Sequence, residues 1–286
     1  MRTKTPLPKP PRVEWEVPAF LPYVQPPLTD ASIRAAEKQL GLRLPAAYIA
    51  ALREQNGGYL RFGWKKYASS ELWGIGSRYP SILKGSLAKH FEDVSDVWLP
   101  RDADKLVPFM GDGHWHMCFD ARKSRAHPAI AYVDIESERH RVVAPSFEQF
   151  LHDALATTGD GEPRVGLVTS ASLKTAARRI GDALDMTITN QGTWAHGYET
   201  FHGASKRPGS TAQFWVSANE VARGFARDDD HDDEHPLVAL PGTALRFPEH
   251  ADCSLIVEMT DLPIEKLITA CERAGLSPRQ LTHESS

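Results

Sequence analysis

The chain has 286 residues, of which 41% are hydrophobic and 24% are charged, and its formal net charge is −4. These values are typical of a soluble globular protein of one or two domains, and they do not fit the strongly basic face of a nucleic-acid-binding protein. No apolar run approaches the ~18 residues needed to cross a bilayer, and no apolar core follows the basic N-terminal residues. We therefore expect a cytoplasmic protein without a membrane or nucleic-acid partner.

The three cysteines, Cys118, Cys253 and Cys271, lie far apart in apolar segments. An odd and dispersed set predicts small core residues in a reducing compartment, not disulfides or a zinc site.

Residues 1–27 contain eight prolines, which predicts an extended arm, because proline disfavours both helices and interior strands. Trp15, Phe20 and Tyr23 are spaced along this arm, and we expect them to dock onto the protein's own surface.

Residues 28–58 predict two short helices joined by a tight corner. Thr29 or Asp30 can cap the first helix, Gly41 can end it in a left-handed conformation, and Pro45 can begin the second. Asn56-Gly57-Gly58 ends the second helix. Each helix has an apolar stripe at helical spacing: Ile33, Ala36 and Leu40 in the first, and Tyr48, Ile49 and Leu52 in the second.

After the helix pair, short apolar runs alternate with turns, which predicts a sheet. The predicted strands are 59–62, 72–76, 107–110, 114–120, 129–134 and 141–144. Residues 80–98 predict a loosely amphipathic helical connection. Ser146 can cap a closing helix, residues 147–155, whose aromatic and leucine side chains face inward.

The ordered signals I-x3-E-x2-LG-x2-LP-x2-Y-x3-L-x3-NGG, VPFMGDG, CFD, PAIAYVD and APSFEQFL together resemble the Smi–Knr family of the SUKH superfamily. The resemblance covers about residues 28–155. It implies an α+β fold, with helices packed against a twisted sheet. In bacteria this superfamily supplies immunity proteins that bind and neutralise secreted toxins, and a fungal branch is linked to cell-wall signalling as an adaptor. The family offers no established catalytic motif.

The resemblance and the composition divide the chain into a proline-rich arm (1–27), a SUKH-like domain (28–156), a linker (157–163) and a second small α+β domain (164–286). In the second domain, strands are predicted at 164–169, 186–189, 212–216 and 254–259. Helices are predicted at 172–184 and 219–226, and Asp261 is predicted to cap a last helix.

An acidic run in the second domain has six carboxylates in seven residues: Asp228, Asp229, Asp230, Asp232, Asp233 and Glu234. With His231 and His235 it has the ligand types of a metal site, but it lacks the glycine and bidentate spacing of a calcium loop. It also suits a contact with a basic partner surface. The third interpretation is a solvated loop.

Two groups of histidines are further candidates. His114 and His116 are two residues apart on a predicted strand, so they share a face with Asp120. The two histidines could be metal ligands, an acid–base pair, or part of the ordinary polar face of a strand. His196, Tyr198 and His202 lie in a glycine-containing segment that is predicted to be a loop. No nucleophile motif, phosphate-binding loop or paired-carboxylate motif is present.

The leading hypothesis is a non-enzymatic immunity protein that binds a toxin and occludes its active face, without a cofactor. The predicted contacts are the acidic run and, alternatively, a surface near Trp73, Asp112, His114 and His116. Two other functions remain open: a regulatory adaptor, and a metal-dependent hydrolase using the histidines and the acidic run.

Overall fold

The computed structural model describes residues 10–17, 19, 21–61, 63–65, 67, 69–155, 164–192, 199–221 and 244–281. The chain divides into two compact units, Met1–Ala156 and Thr157–Ser286. Both units combine helices with antiparallel sheets, which confirms the predicted α+β class. The predicted linker, 157–163, lies outside the described residues. In the part of the chain that is described, no helix has the length and apolar character needed to cross a bilayer.

The first unit begins with the helix pair, α1 (Asp30–Leu40) and α2 (Ala46–Glu54). Thr29 caps α1 by accepting a hydrogen bond from the Ser32 amide, and Gly41 ends it with a φ of 65°. Pro45 precedes α2, as predicted. The apolar stripes face the core, although Leu40 is only half-buried whereas Leu52 is 1% exposed.

The remaining elements of the first unit form the sheet and its closing helix. They are β1 (Gly58–Tyr59), β2 (Glu71–Leu72), α3 (Leu87–His90), β3 (Leu106–Gly111), β4 (Trp115–Asp120), β5 (Ala129–Asp134), β6 (Arg139–Ala144) and α4 (Phe147–Ala154). The last four strands pair antiparallel in the order β3-β4-β5-β6, and β1 pairs with β2. Ser146 caps α4 through the Gln149 amide, as predicted.

Alternation along the strands gives the four-stranded sheet two apolar faces. On one face, Phe109 and Phe119 pack edge-to-face or tilted against Tyr48 of α2 and Phe147 of α4, with ring centroids 4.5–6.4 Å apart. On the other face, Cys118 and neighbouring residues form a smaller cluster with Leu87, Leu106 and Val133. All three cysteines of the chain are buried and free, as predicted.

Three predictions for the first unit fail in part. The strand predicted at 72–76 is limited to Glu71 and Leu72. The first strand contains only Gly58 and Tyr59, because Leu60 instead forms an isolated bridge with Trp15 of the arm. The helical connection over 80–98 is reduced to a 3₁₀ turn, Ile82–Lys84, and the single turn of α3. Gly85, with a φ of 105°, separates the two turns and prevents a continuous helix.

The described part of the proline-rich arm, residues 10–17, 19 and 21–27, docks on its own unit through both backbone and side chains. The Glu16 amide donates to the Tyr59 carbonyl at 2.9 Å, and the Gln25 amide donates to the Asn56 carbonyl at 2.8 Å. The Gln25 side chain is buried and donates to the carbonyls of Arg78 (2.7 Å) and Pro80 (3.2 Å). These contacts, with the bridge of Trp15, explain how a segment without helix or sheet periodicity is held in place.

The second unit is built on a six-stranded antiparallel sheet. Its elements are β7 (Arg164–Val168), α5 (Leu173–Leu184), β8 (Met186–Asn190), β9 (Thr200–Ser205), β10 (Gln213–Ala218), β11 (Glu220–Val221), β12 (Ala244–Leu245), β13 (Leu255–Thr260), α6 (Ile264–Arg273) and β14 (Ser277–Gln280). The strand order is β14-β7-β13-β10-β9-β8, and β11 pairs separately with β12. Helices α5 and α6 contribute Ile180 and Leu267 to one core with Phe214 and Val257 of the sheet.

Three predictions for the second unit are wrong. Asn219 does not begin a helix, because its side chain accepts a hydrogen bond from the Phe247 amide and donates to the carbonyls of His250 and Cys253. Glu220 and Val221 form a strand instead. The rest of the predicted helix, 222–226, lies outside the described residues. Asp261 does not cap α6, whose N-cap is Pro263. His202 lies on strand β9 and not in a loop.

Candidate partner-binding surface

The turn between β3 and β4 presents two of the predicted contact residues, Asp112 and His114, which are both exposed. Asp112 Oδ1 accepts hydrogen bonds from the amides of His114 (2.9 Å) and Trp115 (3.1 Å), so the carboxylate fixes the turn. His114 Nδ1 lies 2.6 Å from Glu136 Oε1 in the turn between β5 and β6. These contacts bring two turns together at one end of the sheet.

Four side chains beside these turns form a cluster that the sequence did not reveal: Tyr67, Trp115, Tyr132 and Arg141, here named the aromatic–arginine cluster. The ring centroids of Trp115 and Tyr132 are 5.8 Å apart, and that of Tyr67 lies 6.0 Å and 5.8 Å from them. The Arg141 guanidinium carbon lies 5.8 Å from the Tyr132 ring centre. All three rings are half-buried and Arg141 is exposed.

This composition is that of protein-interface hot spots, in which tryptophan, tyrosine and arginine are enriched. Half-buried rings that are already stacked lose little side-chain entropy when a partner covers them. The strand register explains why the sequence did not indicate this cluster. Met117, not Trp115, lies directly opposite Tyr132, so Trp115 and Tyr132 are diagonal neighbours, and Tyr67 comes from a distant loop.

The other two predicted contact residues, Trp73 and His116, are buried, with 1% and 3% of their surface exposed. Trp73 Nε1 donates to Glu71 Oε1 at 2.9 Å, and its ring stacks on His90 at 5.5 Å. The prediction that they offer surface to a partner is therefore not supported by their positions. Trp73 faces inward because its backbone amide donates to the Phe109 carbonyl, which ties this segment to the edge of β3.

The half-buried His90 and the buried His116 form a pair of imidazoles with ring centroids 6.0 Å apart. Among the described residues, no hydrogen-bond partner reaches His90 Nε2 or either ring nitrogen of His116. The pKa of each histidine is lowered from 6.5 to about 4, chiefly because burial disfavours the charged form. The positive charge of Lys84 contributes to both shifts, and Asp112 opposes the shift at His116. Both imidazoles are consequently neutral at pH 7.

The predicted His114–His116–Asp120 group is not brought together. His114 lies in the turn before β4, and Asp120 forms a bidentate ion pair with Arg122, at 2.8 and 2.9 Å, that fixes the following turn. Within the described ranges, no group of three or more His, Cys, Asp and Glu side chains is placed to hold a metal ion. The acidic run, with His231 and His235, lies outside the described residues, as do His196 and Tyr198. His202 stacks on Trp215 at 5.2 Å and shares a hydrogen bond with Gln213.

A cleft of about 1010 Å³ lies elsewhere on the first unit, between α1, the start of α2 and the turn before β5. Its rim has four arginines, Arg34, Arg43, Arg53 and Arg125, but also three carboxylates, and Arg53 pairs with Asp30. The deep apolar residues of this cleft are already packed in the core. Because the rim of the cleft has mixed charge and its apolar residues are already buried in the core, we favour the aromatic–arginine cluster as the principal contact surface.

A helix pair, an antiparallel four-stranded sheet and a closing helix define the first unit as an α+β domain of the SUKH type. The model of the SMI1 / KNR4 family (SUKH-1) matches residues 27–153, so this first unit belongs to that family. The family is known for immunity proteins and is typically non-enzymatic. The match ends before the second unit, and no curated protein matches the chain.

Proposed function

We propose that this protein is a cytoplasmic immunity protein that binds a cognate protein toxin and occludes its active face. The observation that carries the proposal is the partly exposed aromatic–arginine cluster on a domain of the SMI1 / KNR4 family. Binding proteins of this kind act by covering a surface, which requires rigid anchors and no catalytic group. The cluster supplies such anchors beside an exposed turn.

Sequencing the neighbouring genes for a secreted toxin, followed by co-expression with that toxin, tests the function. The wild-type protein should restore growth, and the double variant Trp115→Ala, Tyr132→Ala should lose protection, with an affinity at least about a hundredfold lower, because truncating a hot-spot residue costs about 2 kcal/mol or more. Tyr79→Ala is the matched control, since Tyr79 is 65% exposed and lies outside the cluster. Absence of protection by the wild-type protein would refute the proposed function.

The acidic run is a second proposed contact, directed at a basic toxin surface. Replacing its six carboxylates by Asn or Gln should slow association and flatten its salt dependence, because such charges mainly steer the encounter. Stopped-flow binding at several ionic strengths measures both quantities. Unchanged salt dependence would show that the run is only a solvated connector.

A further inference from the structure

Strand β6 is an unpaired edge of the four-stranded sheet. It pairs with β5 only, and among the described residues no strand pairs with its outer side. Arg139, His140, Arg141 and Val142 are all exposed, and Val142 is 52% exposed, which is high for a large apolar side chain. The outer amides and carbonyls of such a strand are available to pair with another extended chain.

The two faces of β6 differ in chemistry. Arg139 and Arg141 point to the face of the aromatic–arginine cluster, and His140 and Val142 point to the opposite face. Arg139 lies directly opposite Asp134 of β5, which offsets part of its charge. Within the described residues, no carboxylate forms an ion pair with Arg141, whose contact is the Tyr132 ring. The edge therefore has an uncompensated cation next to an exposed valine.

A second copy of the chain gives Arg141 no carboxylate in the registers centred on this part of β6. Two β6 strands related by a twofold axis pair antiparallel, and an axis centred on Val142 sets Arg141 opposite Val143. An axis centred on His140 sets Arg139 opposite Arg141, and an axis centred on Arg141 sets this arginine opposite itself. Like charges directly opposite each other destabilise a strand pair. A nucleic acid is disfavoured too, because the turn leading into β6 carries Asp134, Glu136 and Glu138. The occupant that fits is a protein strand with carboxylates.

We propose that β6 is a docking edge that accepts an extended strand from the partner protein, with an acidic residue opposite Arg141 and an apolar residue opposite Val142. The inference rests on the proposed function only for the partner's identity. Arg141 links the edge to the aromatic–arginine cluster, because its guanidinium also contacts the Tyr132 ring. The arginines also oppose pairing with uncharged or basic strands, which makes the edge selective.

Titration of the isotope-labelled full-length chain with the capped peptide Thr-Glu-Val-Glu-Val-Thr tests the docking edge. Binding with a Kd on the order of 1 mM should shift the amide signals of residues 139–142 and slow their hydrogen exchange. The same peptide with lysine in place of glutamate should bind at least about tenfold more weakly. Signal changes that spread over other surfaces, or equal binding of both peptides, would overturn the proposal.

Charge reversal provides the matched variants. Arg141→Glu should lower the affinity for the glutamate peptide at least about tenfold and raise the affinity for the lysine peptide. Arg34→Glu, on the exposed side of α1 at the cleft, should change neither affinity. Equal effects of the two variants would refute a site at β6. A wild-type chain that sediments as a dimer, and becomes monomeric in Arg141→Glu, would instead identify a second copy as the occupant.

Growth protection separates the two proposals. Suppose that Arg141→Glu loses affinity for the glutamate peptide, as expected, but that the wild-type protein gives no protection against the toxin. The docking edge is then supported and the immunity function is refuted. If the wild-type protein protects and Arg141→Glu protects equally well with an unchanged affinity for the toxin, the function stands and strand docking falls.

Discussion

The two units place ionisable side chains in their interiors by opposite means. In the first unit, the half-buried His90 and the buried His116 are neutral imidazoles among the rings of Trp73 and Phe91. In the second unit, Glu258 is a half-buried anion between two cations, 2.8 Å from Arg164 Nε and 3.5 Å from Arg246 Nη2. The first arrangement avoids a buried charge, and the second compensates it.

The two means give the units different responses to acid. Burial alone would raise the pKa of Glu258, but Arg246 and Arg164 together hold it below 4.5, so its stabilising effect is present at neutral pH and is lost only as pH falls through that low pKa. The histidines affect stability at a higher pH than Glu258 does. Between pH 6.5 and about 4 the unfolded chain binds protons that the folded first unit does not bind, so the stability of the first unit decreases as the pH is lowered through this range.

The largest expected effect is the loss of Glu258. Glu258→Ala removes a shared carboxylate from the buried Arg246 and the half-buried Arg164 and should destabilise the second unit by about 3–5 kcal/mol, as measured by urea unfolding of the full-length chain. Ser217, which accepts from Arg246 Nη1, gives a milder control as Ser217→Ala, since it carries no charge. Equal effects of both variants would mean that the ion cluster has no special role.

A similar but smaller loss is expected in the apolar core of the first unit. Leu52→Ala should destabilise it by about 2–4 kcal/mol, because Leu52 is enclosed and its removal leaves a cavity. Leu40→Ala should cost about half as much, since Leu40 is half-buried. Calorimetry of both variants checks the ranking, and a larger effect at Leu40 would contradict it.

The pH response gives an expected change in stability similar to that of Leu40→Ala and tests the comparison most directly. His116→Phe removes one of the two neutral imidazoles, so the variant should lose about 2 kcal/mol less than the wild type between pH 6.5 and about pH 5. Unfolding by urea at several pH values measures this difference. Parallel pH curves for the variant and the wild type would show that His116 has the same pKa in the folded and the unfolded chain.

Local signals in the sequence predicted the parts of the fold that depend on neighbouring residues. The helix pair is correct at its cap, its left-handed end and its second start, because Thr29, Gly41 and Pro45 act within one turn of their own positions. The strands from β3 to β6 follow for the same reason from alternation and turn residues. Asn219 shows the limit, since its side chain is satisfied by the backbone of residues 247–253, and no local pattern indicates that contact.

The candidate surface shows the same division. The sequence identified the exposed turn residues Asp112 and His114, and it also named Trp73 and His116, which the structure buries. A tryptophan or a histidine has an apolar body and a polar edge, so its position in the sequence does not decide whether it faces core or solvent. Strand register alone made Trp115 and Tyr132 diagonal neighbours, and it set Arg141 opposite Tyr132.

The sequence by itself determined the family of the first unit, the α+β class and the helix caps, since these depend on short-range spacing of residue types. The tertiary structure decided which residues form the exposed cluster, that β6 is an edge, and how the histidines and Glu258 are buried. Those properties depend on contacts between residues distant in the chain, and burial, pairing and charge compensation exist only once these contacts have formed.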